Sequence, residues 1–105
     1  MSLAVYGIRQ CDTCRKALKW LAERGIKHRF HDLRADGLDR AMVTRWLDSE
    51  FSDTLINRRS TTWRQLDQSQ RDSKDIVGLL VANPTLVKRP VFERDGQVIA
   101  VGLGP

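Results

Sequence analysis

Two cysteines three positions apart, Cys11-Asp12-Thr13-Cys14, stand where a short apolar run gives way to an amphipathic one, and this junction constrains the fold more than any other feature. Leu3 to Ile8 carries Leu, Val, Tyr and Ile in a run short enough for a strand buried on both faces. From Asp12 onward Cys14, Ala17, Leu18, Leu21 and Ala22 recur at spacings of three and four, with Arg15, Lys16, Lys19 and Glu23 on the other side. That pattern is a helix, and Gly25 supplies a left-handed cap for its end. A cysteine at such a strand-to-helix junction meets unpaired backbone N–H groups and the positive end of the helix dipole, both of which favour the thiolate. Cys11 is therefore expected to be the nucleophile. Cys14 shares a side with Ala17, Leu18 and Leu21, so it is expected to be the shielded thiol that resolves a mixed disulfide.

Further along, Ile26 to Leu33 places Ile26, His28 and Phe30 in alternation and predicts a second strand. Asp36-Gly37 offers a turn and a cap for a helix bearing Leu38, Met42, Val43, Trp46 and Leu47. Phe51 to Gln70 is polar and predicts short helical pieces among loops. Ser73 is expected to cap a helix whose apolar positions are Ile76, Val77, Leu79 and Leu80, which Asn83-Pro84 stops. Two apolar runs flanking Arg94-Asp95-Gly96 predict a hairpin. The order βαβ, helical middle, ββ gives an α/β fold with a mixed parallel and antiparallel sheet and helices packed over it. With 105 residues, 41% of them hydrophobic, one modest core is expected. The reading is a single domain over 1–105 with a helical insertion at about 38–82.

Several classes fall away on composition. A disulfide-stapled scaffold needs more cysteines at longer separations than this pair provides. Cys11-x2-Cys14 with His28-x2-His31 approximates zinc-finger spacing, but two strand residues an odd number apart point to opposite sides, so no metal site is expected. The net charge of +5 is spread along the chain and favours anionic partners. Trp20, Trp46 and Trp63 are too dispersed for a stacking platform, so direct nucleic-acid binding is not expected. No apolar run approaches the roughly 20 residues of a membrane span, and the start lacks a secretory pattern, so a cytoplasmic protein without a membrane role is expected.

Cations near a reactive thiolate lower its pKa further and can bind an anionic substrate. Arg9, Arg15, Arg58, Arg59, Arg64, Lys88 and Arg89 are the candidates, with Arg58-Arg59 and Arg89 singled out because they fall in predicted loops. Arg89 directly precedes Pro90, an X-Pro bond entering a strand that can be cis although trans is the default in about 95% of cases. Pro90 is thereby a candidate wall of the substrate groove.

Tyr6-Gly7-Ile8-Arg9-Gln10-Cys11-Asp12-Thr13-Cys14-Arg15-Lys16-Ala17, His31-Asp32-Leu33-Arg34-Ala35-Asp36-Gly37-Leu38, Asn57-Arg58-Arg59-Ser60-Thr61-Thr62-Trp63-Arg64-Gln65-Leu66 and Lys88-Arg89-Pro90 together span nearly the whole chain. In this combination the sequence resembles the arsenate-reductase-like family of thioredoxin-fold proteins, in its YffB and Spx branch. The resemblance implies a thioredoxin-like fold with Cys11 as the reactive cysteine. It also implies Arg89 and one of Arg58-Arg59, Arg59 being favoured, as arginines that bind oxyanion or glutathione, and Pro90 as a cis-proline. It implies a thiol-disulfide reductase, monomeric, with no tightly bound cofactor, glutathione as cosubstrate and a glutathionylated or disulfide substrate. The Spx likeness implies as an alternative a redox-sensing regulator that binds RNA polymerase. A final helix is expected beyond the terminal hairpin, and the sequence to Pro105 does not contain it. Cys14 replaces the serine of the glutaredoxin-linked arsenate reductases, and Val101-Gly102-Leu103 lacks their arginine after the last strand. One charge-assisted contact of about 1.5–3 kcal/mol is thereby missing, so arsenate reduction, if present, is expected to be weak.

Overall fold

Every residue of β1 (Leu3–Gly7) is buried, because both its edges are paired and both its faces covered. The computed structural model describes residues 3–102; Met1-Ser2 and Leu103-Gly104-Pro105, the latter bordering the expected final helix, lie outside the described residues. The chain divides into two units, one made of residues up to Gly37 together with those from Arg89 on, the other of Leu38–Lys88.

In the first unit β1 leads into α1 (Asp12–Glu23), which returns the chain to β2 (Arg29–Asp32), parallel to β1 with Gly7 opposite Asp32. On its other edge β1 pairs antiparallel with β3 (Val91–Arg94), and β3 with β4 (Gln97–Val101), giving the order β2-β1-β3-β4. This is the mixed sheet that the element order calls for. Leu3, Val5 and Leu21 form a core against which Leu18, Ile26, Phe30 and Phe92 pack, each fully buried side chain contributing about 1.5–3 kcal/mol. Asp95 and Gly96 both have positive φ, as a two-residue hairpin turn requires.

Local chemistry moves several boundaries. The second strand begins at Arg29, not Ile26, because the Ile26 N–H donates to Leu21 O at 3.0 Å and His28 Nδ1 bonds Ile26 O at 2.9 Å, tying this segment to the end of α1. Ala22 is exposed, not inward as its spacing predicts. Asp36 does not cap the next helix; its carboxylate accepts from the Asp32 N–H at 2.9 Å, and Asp39 caps α2 (Arg40–Leu47) by accepting from Met42 N at 2.8 Å.

Within Leu38–Lys88 the polar middle forms α3 (Thr61–Gln65) and α4 (Gln68–Arg71), as short pieces, before α5 (Ile76–Ala82). Ser73 does not cap α5. Asp75 does, accepting from Gly78 N at 3.1 Å, while Ser73 Oγ accepts from Asp75 N. Arg40 grips the Asp75 carboxylate with both guanidinium nitrogens at 3.0 and 3.2 Å and links the starts of α2 and α5. Val43, Trp46, Leu55, Leu80, Leu86 and Val87 are fully buried in this unit. Among the described residues no helix is long and apolar enough to cross a membrane.

Candidate active site

At the end of β1 the chain makes a tight turn, closed by the Cys11 N–H donating to Ile8 O at 2.9 Å. Three other bonds hold the turn. The Arg9 N–H donates to Asp32 Oδ2 at 2.9 Å, Arg15 Nε donates to Arg9 O at 3.2 Å, and the Leu33 N–H donates to Gly7 O at 2.8 Å. Cys11 is thereby the N-cap residue of α1, extended at φ −83° and ψ 125°, with its carbonyl accepting from Arg15 N.

Partial burial of the Cys11 sulfur works against its thiolate. The Cys14 backbone N–H, the Arg89 guanidinium and the Cys14 thiol, all donating to that sulfur, outweigh it, and the Cys11 pKa falls below the ordinary thiol value. Cys14 goes the other way. Burial, reinforced by negative charge on Cys11, pushes its thiol up to about 11, although the Ile8 N–H donates to Cys14 Sγ at 3.5 Å and opposes the rise. Two sulfurs on one helical turn thus differ in acidity and in access: Cys11 is partly exposed and Cys14 buried.

Arg89, just before the hairpin, acts on the Cys11 sulfur; Pro90 after it is fully buried and the Arg89-Pro90 peptide is cis. Arg15 is exposed and ties the turn by its Nε, its Nη1 lying 3.9 Å from Asp12. Arg58 and Arg59 belong to the second unit. There the Arg58 guanidinium stands 5.5 Å from the Trp63 ring centroid, and the Arg59 N–H donates to Asn57 Oδ1. His31 Nε2 bonds Gly37 O at 2.7 Å, and its ring lies against Tyr6. Among the described residues no three His, Cys, Asp or Glu side chains gather in a metal-binding arrangement. An apolar cavity of about 480 Å³, lined by Leu3, Ala17, Trp20, Leu21, Phe92 and Ile99 among others, includes neither cysteine nor Arg89.

Two contributors escape the sequence reading. A Cβ at Gly7 would sit 2.5 Å from Cys14 Sγ, so the absence of a side chain there makes room for the buried sulfur. Asp32 is buried and its carboxylate accepts three backbone N–H bonds. Burial opposes its charge, but the Ala35, Arg9 and Arg34 N–H groups and the Arg9 guanidinium hold its pKa below the ordinary carboxylate value. Its residue type, common in side-chain-stabilised turns, is the one available sequence signal.

The ArsC family model matches residues 6–104. An uncharacterised protein of Haemophilus influenzae is 48% identical over 101 residues, 92% of this chain and 88% of that protein. Global transcriptional regulator Spx 1 of Oceanobacillus iheyensis is 28% identical over 94 residues, 86% of this chain and 72% of that protein. The solved structure of a YffB protein is similar with a TM-score of 0.85 at 38% identity, over 97% of this chain and 91% of that one.

Proposed function

The chain belongs to the ArsC family, and from that premise we propose that it is a thiol-disulfide reductase in which Cys11 is the nucleophile and glutathione the cosubstrate. The observation that carries the reading is geometric: Cys11 caps α1 and is partly exposed while Cys14, a turn inside, is buried, and with this go a lowered pKa at Cys11 and one raised to about 11 at Cys14. In the first step the Cys11 thiolate attacks the glutathione sulfur of a glutathionylated substrate. The substrate sulfur leaves as a thiolate that takes a proton from water, and Cys11 becomes joined to glutathione. In the second, Cys14 or a second glutathione supplies the attacking thiolate and releases the first glutathione, leaving either a Cys11–Cys14 disulfide or free Cys11 with glutathione disulfide as product. Once Cys11 is in a mixed disulfide its negative charge is gone, and with it one of the causes that hold the Cys14 proton. Resolution is thereby coupled to attack.

Charge supports an anionic substrate. Lys and Arg outnumber Asp and Glu ten to six in the unit that carries the cysteines, and eight to seven in the other. Arg89, already donating to the Cys11 sulfur, is the cation best placed to meet a carboxylate of the incoming peptide. Replacing Cys11 by Ser is expected to abolish turnover of a glutathionylated substrate. Retained turnover would defeat the assignment.

The similarity to Spx 1 supports a second reading, a regulator that binds RNA polymerase according to the oxidation state of the pair. Such a protein binds its partner differently when oxidised and reduced, with negligible turnover. Equal binding in both states excludes it.

A further inference from the structure

We propose that Asp32 is a positioning residue for Cys11: its buried carboxylate fixes the Arg9-Gln10 turn and so sets where the Cys11 sulfur stands relative to the Cys14 N–H and the Arg89 guanidinium. The inference rests on Cys11 being the activated thiol.

The carboxylate is itself held. Oδ1 accepts from Arg34 N at 2.8 Å and Ala35 N at 3.0 Å, the Asp32 N–H donates to Asp36 Oδ2, and the Asp36 N–H returns to Asp32 O at 2.8 Å. The backbone of Asp32 is registered against Gly7 through the β1–β2 pairing. This rigid group at the end of one strand reaches the end of the next and takes the Arg9 N–H on Oδ2 at 2.9 Å. Of the other side-chain ties on the turn, the Ile8 N–H donates to Cys14 Sγ at a long 3.5 Å, and the bond from Arg15 to Arg9 O comes from an exposed side chain and competes with water. The Asp32 bond is charge-assisted and sheltered, with 6% of the residue exposed, and it is the strongest of them. Arg9 and Gln10 are themselves exposed, and the Arg9 guanidinium rests 5.1 Å from the Phe30 ring centroid.

Charge alone predicts the opposite outcome, which makes the idea sharp. Asp32 is negative, and through space a negative group disfavours a nearby thiolate, so neutralising it should lower the Cys11 pKa. A positioning role predicts that losing the tie raises it.

Asp32→Asn tests this. The amide oxygen can keep the bonds to Arg34 and Ala35, while the amide nitrogen, a donor, cannot accept from Arg9. The pH dependence of Cys11 alkylation is measured in the wild-type protein, in Asp32→Asn and in Asp39→Ala, which loses the cap of α2 and reports destabilisation alone. The expected result is a Cys11 titration moved toward that of free cysteine in Asp32→Asn, with alkylation at neutral pH slowed about three- to tenfold, and no such movement in Asp39→Ala. A Cys11 titration unchanged or moved downward in Asp32→Asn overturns the proposal, as does an equal rise in Asp39→Ala. An ordinary titration in the wild-type protein defeats the redox reading instead, which keeps the two failures apart. Should Asp32→Asn not fold, the wild-type protein still decides: the Arg9 amide resonance must follow protonation of Asp32 in acid, and an Arg9 amide indifferent to that titration sinks the tie.

Discussion

Cys14 links the chemistry of the pair to the stability of the chain. An unfolded chain gives up a cysteine proton near about 8.5, whereas the folded one keeps the Cys14 proton up to about 11. Between those values the unfolded state binds fewer protons, so the reduced protein loses stability as pH rises through the window. Cys11 contributes with the opposite sign: its lowered pKa adds stability above the unfolded value, and this is lost as pH falls through the folded one. Urea unfolding at about pH 7.5 and about pH 10 is therefore expected to show a drop in midpoint that Cys14→Ala reduces. An equal drop in both proteins would contradict the raised pKa. The unequal exposure of the sulfurs was legible from their places on the helix, since one residue caps it and the other lies a turn inside on its apolar side. Gly7 and Asp32 were not legible, because their reasons are tertiary contacts, Gly7 with the Cys14 sulfur across the strand-to-helix turn and Asp32 with Arg9 just past the neighbouring strand's end, which no local pattern encodes.

At the level of elements, periodicity found the longer helices and the strands, and the start of β2 and the caps are where it failed. Asp36 and Asp39 are both helix-capping types within four residues, and the choice between them is made by β2: the Asp32 N–H takes the Asp36 carboxylate, leaving Asp39 for Met42. Similarly Ser73 and Asp75 compete for α5, and Asp75 holds it because the same carboxylate also receives Arg40. Asp39→Ala is expected to cost about 1 kcal/mol through the lost cap, read as a lower urea midpoint with the cysteines equally reactive. Asp36→Ala should instead loosen the end of β2, so the two variants separate by whether the Asp32 amide or the Met42 amide loses hydrogen-exchange protection. The hairpin was easier to read. Asp95-Gly96 carries its own conformational preference, and no distant partner is needed to select the turn.

Over the whole molecule, the sequence displays its net charge of +5 directly but hides its distribution, because Lys and Arg recur all along the chain and only the division into units shows most of the excess falling in the unit that holds the cysteines. That concentration bears on rate as well as affinity, since a positive field raises the local concentration of anions and is screened over about 10 Å at 0.1 M salt. Two alkylating reagents of similar size, one charged and one neutral, separate the field from the thiol. Iodoacetate is an anion and iodoacetamide is neutral, and both report the same Cys11 thiolate. The ratio of their rates is expected to fall severalfold between about 0.01 M and about 0.5 M salt, with the iodoacetamide rate nearly constant. Arg89→Gln should depress both rates, because the guanidinium favours the thiolate itself, and should depress iodoacetate further, because it also meets the carboxylate. A ratio indifferent to salt would mean that the surrounding cations do not reach the sulfur, and an anionic substrate would then owe its binding to close contacts alone.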